Sequence, residues 1–174
     1  MNSTVLTQEE KLLPPVVIRC VQESVVSIFE TILGSAPKYT GDSEEKNIGE
    51  GVVGIISFGG DVSWLLMLAI GRQSAGQIAS GFCGFDVEYE SPDMGDVVGE
   101  LANVLAGDII ARLRSEGVTT AMSLPTIMRG QDVEPLLPRG APSKKMHFTT
   151  AQGALMLKVA GSRPGENVGR TPGT

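Results

Sequence analysis

The sequence predicts an α+β fold, a mostly antiparallel sheet with two long helices packed on one face. Three observations carry this. Two long stretches place apolar residues at three- and four-residue steps, the period of an amphipathic helix. A glycine-punctuated hairpin is written at Gly59-Gly60-Asp61. A tight turn at Gln152-Gly153 joins two further strand-like runs near the end. Helices laid on one side of such a sheet form a two-layer sandwich.

The elements follow in order. Residues 1–13 read as a flexible lead-in. Pro14 or Pro15 opens the first long helix, where a missing N–H costs nothing. Val17, Cys20, Val21, Val25, Ile28, Phe29 and Ile32 form its stripe, and Gly34 ends it. Residues 35–46 read as a polar loop. Residues 48–58 and 63–70 are the hairpin strands, and residues 74–81 suit a short helix closed by Gly81. The second long helix has Ser91 as its expected N-cap, Pro92 and Asp93 in its first turn, and Gly117 as its stop. Met94, Val97, Val98, Leu101, Val104, Leu105, Ile109 and Leu113 supply its apolar face. At ~1.5 Å per residue it reaches about 35 Å, enough to cross a sheet. Strands are expected at 119–124, 144–150 and 154–160. Residues 129–143 carry three prolines and two glycines and read as an irregular loop, and 161–174 as a disordered tail. The folded domain is thus 14–160, with no internal repeat.

Composition narrows the function classes. The chain has 174 residues, 41% hydrophobic and 20% charged, one soluble domain's worth. A net charge of −6 without a cluster of Lys and Arg argues against binding nucleic acid. Lys144-Lys145 is the one basic pair, read as a solvated strand start. Cys20 and Cys83 fit no metal spacing and read as reduced small hydrophobes, as in cytoplasmic proteins. The longest apolar run, 64–70, is too short to span a bilayer, and the first residues lack a signal-peptide pattern, so the expected setting is the cytoplasm without membrane association. Gly49, Gly51 and Gly54 precede neither a helix nor a Lys-Ser/Thr pair and are not a phosphate loop. The single histidine, His147, sits between apolar residues on a strand, in no triad or metal pattern.

The polar side of the second long helix is unusual. Asp96, Glu100, Asn103 and Gly107 follow at i, i+4, i+7 and i+11, one continuous stripe. A carboxylate and an amide are held there on a well-anchored helix, flanked by glycines that admit close approach.

The spacing Asp96-x3-Glu100-x2-Asn103, with Pro125 about two dozen residues on, resembles the motif of the CheC/CheX/FliY phosphatases of bacterial chemotaxis. Segment order from about residue 14 to 160 is similar to the single-site CheX branch. The two-site CheC branch has a second Glu-x2-Asn on its first helix; here that position reads Glu23-Ser24-Val25-Val26, so one site per chain is expected. The resemblance implies a CheC-like sandwich that acts on the aspartyl phosphate of a CheY-like response regulator, with sheets joined in a homodimer. It implies Asn103 as the residue orienting the attacking water and Glu100 as the contact of a receiver lysine. Asp96, Gly99, Gly107 and Pro125 are the expected partner-binding positions, with Pro125 shaping the loop after the strand rather than touching phosphate. No cofactor or metal of its own is implied, the Mg²⁺ belonging to the receiver. The alternative keeps the fold without the chemistry: a receiver-binding or flagellar-switch-like interaction module.

Overall fold

The computed structural model describes residues 7–43 and 47–162. Four helices and seven strands follow along the chain: α1 (Gln8–Leu12), α2 (Pro15–Leu33), β1 (Lys38–Asp42), β2 (Glu50–Gly60), β3 (Trp64–Gly71), α3 (Arg72–Cys83), α4 (Asp93–Ser115), β4 (Thr120–Met122), β5 (Thr126–Gln131), β6 (Ser143–Thr150) and β7 (Gly153–Gly161). The strands form one sheet in the order β1-β6-β7-β3-β2-β4, and β5 also pairs with β2. Every pairing is antiparallel. The expected fold class is the observed one.

Strand alternation sorts the two faces of the sheet. Val52, Ile56 and Phe58 of β2, Trp64, Leu66, Leu68 and Ile70 of β3, and Leu155, Leu157 and Val159 of β7 meet the helices in one core. Trp64 stacks on Phe58 at 3.8 Å between ring centres. From α2 come Val17, Cys20, Val21, Val25 and Phe29, and from α4 Met94, Leu101, Leu105, Ile109 and Leu113. Each such side chain removed from water contributes about 1.5–3 kcal/mol before the entropy of ordering the chain is counted. The opposite face carries a smaller cluster of Val53, Met67, Ala69 and Met156, against which Ile48 and Val133 pack.

Several elements differ from expectation. Residues 8–12 of the lead-in form a short helix, because Thr7 and Glu10 make a reciprocal capping box. β1 lies within the expected polar loop 35–46, and β5 spans unassigned residues 126–128 and the start of the expected irregular loop 129–143. Both are edge strands with mostly exposed side chains, so neither has an apolar alternation to betray it. α3 passes through Gly81, where an added Cβ would lie 2.8 Å from Leu33, and ends at Gly84 with φ +80°. Lys145 is not solvated: it is 2% exposed, hydrogen-bonded to Asn47 and ion-paired with Glu134. His147 lies on the same face and contacts the Ser43 carbonyl at 3.1 Å. The expected tail falls outside the described residues from position 163 on.

Candidate functional site

α4 is the element that organises the site. Its carboxylates Asp93 and Asp96 lie in the first turn and Arg112 and Arg114 in the last, matching the helix dipole at both ends. Its apolar face is buried as the sequence predicts, save that Val104 is only half-buried. The helix settles directly on β2: a Cβ added to Gly54 would meet the Ala102 Cβ and the Ile127 Cδ1 at 3.3 Å each. Glycine at 54 therefore permits the approach that fixes the height of α4 above the sheet.

The N-terminal end of α4 is fastened by residues that sequence reasoning did not single out. The Arg129 guanidinium, on β5, donates to the Ser91 carbonyl at 3.0 Å and contacts the Glu90 carboxylate at 3.2 Å. Arg72, at the start of α3, bridges Glu90 at 2.6 Å and Glu50 at 2.7 Å. Both guanidinium groups lie over the Tyr89 ring, 4.6 Å and 5.1 Å from its centre. Burial, then the Glu50 charge, pushes the Tyr89 phenol up. No spacing in the chain announces this stack, whose members come from four segments. Ser91 does not cap the helix; its hydroxyl donates instead to the Glu88 carbonyl at 2.8 Å.

On this frame Asp96, Glu100 and Gly107 are exposed and Asn103 is half-buried. Among the described residues neither Asp96 nor Glu100 has a hydrogen-bond or ion-pair partner. Asp108, next to Gly107, does have one, the Arg112 Nε at 2.7 Å. The Asn103 Oδ1 is turned inward, fully buried and without a partner. A buried acceptor left unmatched costs about 1–3 kcal/mol, and a half-turn of the terminal amide exchanges its oxygen and nitrogen within a soft torsion.

Gly99 and Pro125 lie beside the open face of α4. Gly99, one residue before Glu100, is turned toward the sheet edge and buried, not open as a close-approach position on the stripe would be. An added Cβ there would lie 3.6 Å from Ile127 and 4.0 Å from the Pro125 ring. Pro125 closes a three-residue break between β4 and β5, where Ser123 exchanges two hydrogen bonds with Ser57 of β2. It is half-buried and meets α4 at Gly99, so it joins the edge strand to the helix carrying Glu100 and Asn103.

The corresponding face of α2 is built differently. Glu23 is held by Arg112 at 3.4 Å and Arg19 at 3.9 Å, and Arg19 also reaches Glu116 at 2.8 Å. Val26 stands where an asparagine would complete a second Glu-x2-Asn, lining a groove of about 450 Å³ between α2 and α4. Among the described residues no three His, Cys, Asp or Glu side chains converge as a metal site would require, and no helix is long and apolar enough to cross a membrane.

The family model described as chemotaxis phosphatase CheX matches residues 52–149, more than half of the chain and all of the α4 face. The chain belongs to the CheX family. The solved structures agree in fold. A CheC-like superfamily protein from Shewanella sp. PV-4 superposes with a TM-score of 0.76 at 19% identity, covering 87% of this chain and all of that one. The CheX protein of Vibrio vulnificus gives 0.72 at 18%, over 83% of this chain and 97% of its own. A chain of the CheX–CheY–BeF3–Mg complex from Borrelia burgdorferi gives 0.69 at 16%, over 83% and 96%. No curated protein matches by sequence. The CheX family thus accounts for the fold and sets the chain among chemotaxis proteins.

Proposed function

We propose that this CheX-family chain hydrolyses the aspartyl phosphate of a CheY-like receiver, using Glu100 and Asn103 of α4. The observation that carries the reading is the contrast between the two helices. Glu23 on α2 is engaged by two arginines and lacks an asparagine one turn on, whereas Glu100 on α4 is exposed, without a partner among the described residues, and followed by Asn103. A relative in the same fold, from Borrelia burgdorferi, is found in a complex with CheY, BeF3 and Mg.

The chemistry asks little of the protein. Phosphoryl transfer proceeds through a loose transition state in which positioning and charge stabilisation dominate. An amide both donates and accepts, so Asn103 holds a water in line with phosphorus without titrating. Fixing that water removes much of the entropic barrier to attack. Glu100 takes a receiver lysine, and the charge-assisted contact sets the register in which Asn103 meets the phosphoryl group. Asp96 extends the acidic stripe by one turn, and Gly107 leaves the helix backbone open beyond Asn103. The receiver brings its own Mg²⁺, and two copies of the chain join along their sheets.

The test is phosphate release from receiver domains phosphorylated by a small-molecule donor with Mg²⁺. Asn103→Ala is expected to lose on the order of 10² to 10³ in kcat, the usual effect of removing one preorganised polar group. Glu100→Ala is expected to lose affinity as well. Unchanged turnover by Asn103→Ala overturns the mechanism. The inward Asn103 Oδ1 favours one second reading, docking without hydrolysis, and wild type that binds receivers without accelerating phosphate loss would select it.

A further inference from the structure

The α4 stripe of Asp96, Glu100, Asn103 and Gly107 contains no apolar side chain. Exposed polar contacts fix register, but affinity in protein interfaces comes mainly from a few apolar or aromatic anchors that become fully desolvated. On α4 itself the half-buried Val104, one turn from Glu100, offers only a small apolar surface, so a larger anchor has to come from beside the helix. Two of the large apolar side chains exposed among the described residues, Met122 and Leu124, lie on the sheet edge next to α4. Met122 is the cross-strand partner of Phe58, which belongs to the helix-side core, so Met122 shares the face on which α4 lies. Leu124 is 86% exposed.

A single exposed leucine needs no explanation. What distinguishes Leu124 is how it is held. The preceding Ser123 is fixed to Ser57 by its N–H at 2.9 Å and its hydroxyl at 3.1 Å, and that hydroxyl donates to the Leu124 carbonyl at 2.9 Å. The following Pro125 restricts its own φ and rests against Gly99, one residue from Glu100 and one turn from Asn103. The break in the edge strand therefore presents a leucine on a stiff mount, on the side of α4 toward which Gly99 and Asn103 turn. Ordering entropy that a partner would otherwise have to supply on binding is already removed.

We infer that Leu124, with Met122 beside it, is the apolar anchor that seats the phosphorylated receiver on α4. The occupant is an apolar side chain of the receiver surface bordering its phosphorylated aspartate. The inference rests on the proposed phosphatase reading and deepens it.

The experiment measures kcat and KM for phosphate release, and Kd for the beryllofluoride-activated receiver, with wild type, Leu124→Ser, Leu136→Ser and Asn103→Ala. Leu136 is 99% exposed in the segment between β5 and β6 and serves as a control of equal chemistry. Leu124→Ser is expected to raise KM and Kd about tenfold, as loss of a buried leucine contact implies, with kcat and melting temperature unchanged and Leu136→Ser silent. Unaltered KM and Kd, a fall in kcat alone, or an equal effect of Leu136→Ser overturns the anchor while the Asn103→Ala result still stands for the mechanism. A dimer that dissociates on Leu124→Ser in sedimentation assigns the ridge to a second copy and overturns it too. Wild type that neither binds nor turns over any receiver removes both readings together.

Discussion

Replacing Gly107 by alanine separates what the fold wants from what docking wants. Gly107 lies in the exposed part of α4, and an added Cβ would find nothing within 4 Å. Alanine there meets no clash and gains the full difference in helix propensity, about 0.8–1 kcal/mol. For a domain of this size that corresponds to a rise of roughly 2–4 °C in melting temperature. The partner sees the opposite. Catalytic constellations hold to within about 0.5 Å, and a displacement of ~1 Å can cost 10²-fold in rate. A methyl group between α4 and a receiver backbone imposes a shift of that order. Gly107→Ala is therefore expected to melt higher than wild type and to lose roughly 10- to 100-fold in kcat/KM on the phosphorylated receiver. Thermal melts and phosphate-release kinetics on the same preparation decide it. A variant that is more stable and fully active would refute the placement of the receiver over this part of the helix.

Two further outcomes concern the scaffold. The chain has two tyrosines, and both phenols titrate high. Partial desolvation of a residue that is still 43% exposed, then the hydrogen bond to Asp42, pushes Tyr39 up to about 12. The folded state favours the neutral phenols, so above pH ~10 the unfolded chain loses its phenolic protons first and stability falls as pH rises toward about 12; a phenolate absorbance step near the ordinary tyrosine value with the fold intact would contradict this. Gly153→Ala should destabilise by at least about 2 kcal/mol, because Gly153 has φ +128° and an added Cβ would fall 2.0 Å from the Ser74 Oγ; a chemical-denaturation midpoint equal to wild type would show that the β6–β7 turn shifts freely.

What was legible in the sequence follows burial. α4 could be read almost to its ends because its apolar residues must all turn to one side, and the polar stripe is the remainder of the same pattern. β2 and β3 were legible because both faces of the sheet are covered there. β1 and β5 bury little, and a strand that buries little has no periodic signature. Gly99 is buried beside exposed Glu100 because a step of one residue along a helix turns by about 100°, enough to pass from open surface to sheet edge. The Arg72–Tyr89–Arg129 stack was invisible for another reason. Its members are 17 and 40 positions apart, and only the sheet brings them together. Lys145 shows the limit of composition, since a lysine pair at a strand start says nothing about which of the two finds Glu134 beneath a covering segment.

The break between β4 and β5 also bears on solubility. A long, regular strand at a sheet border is a template on which other chains can add without end. Here that border is cut into pieces of three and six residues. Between them Ser123 donates its N–H to the Ser57 carbonyl and accepts the Ser57 N–H at its hydroxyl oxygen, and Pro125 has no N–H to donate. An incoming strand would lose its ladder at the interruption, so fibrous growth from this side is discouraged by the same three residues that hold Leu124 outward. The border can expose a leucine at its centre because it cannot be copied as a continuous strand.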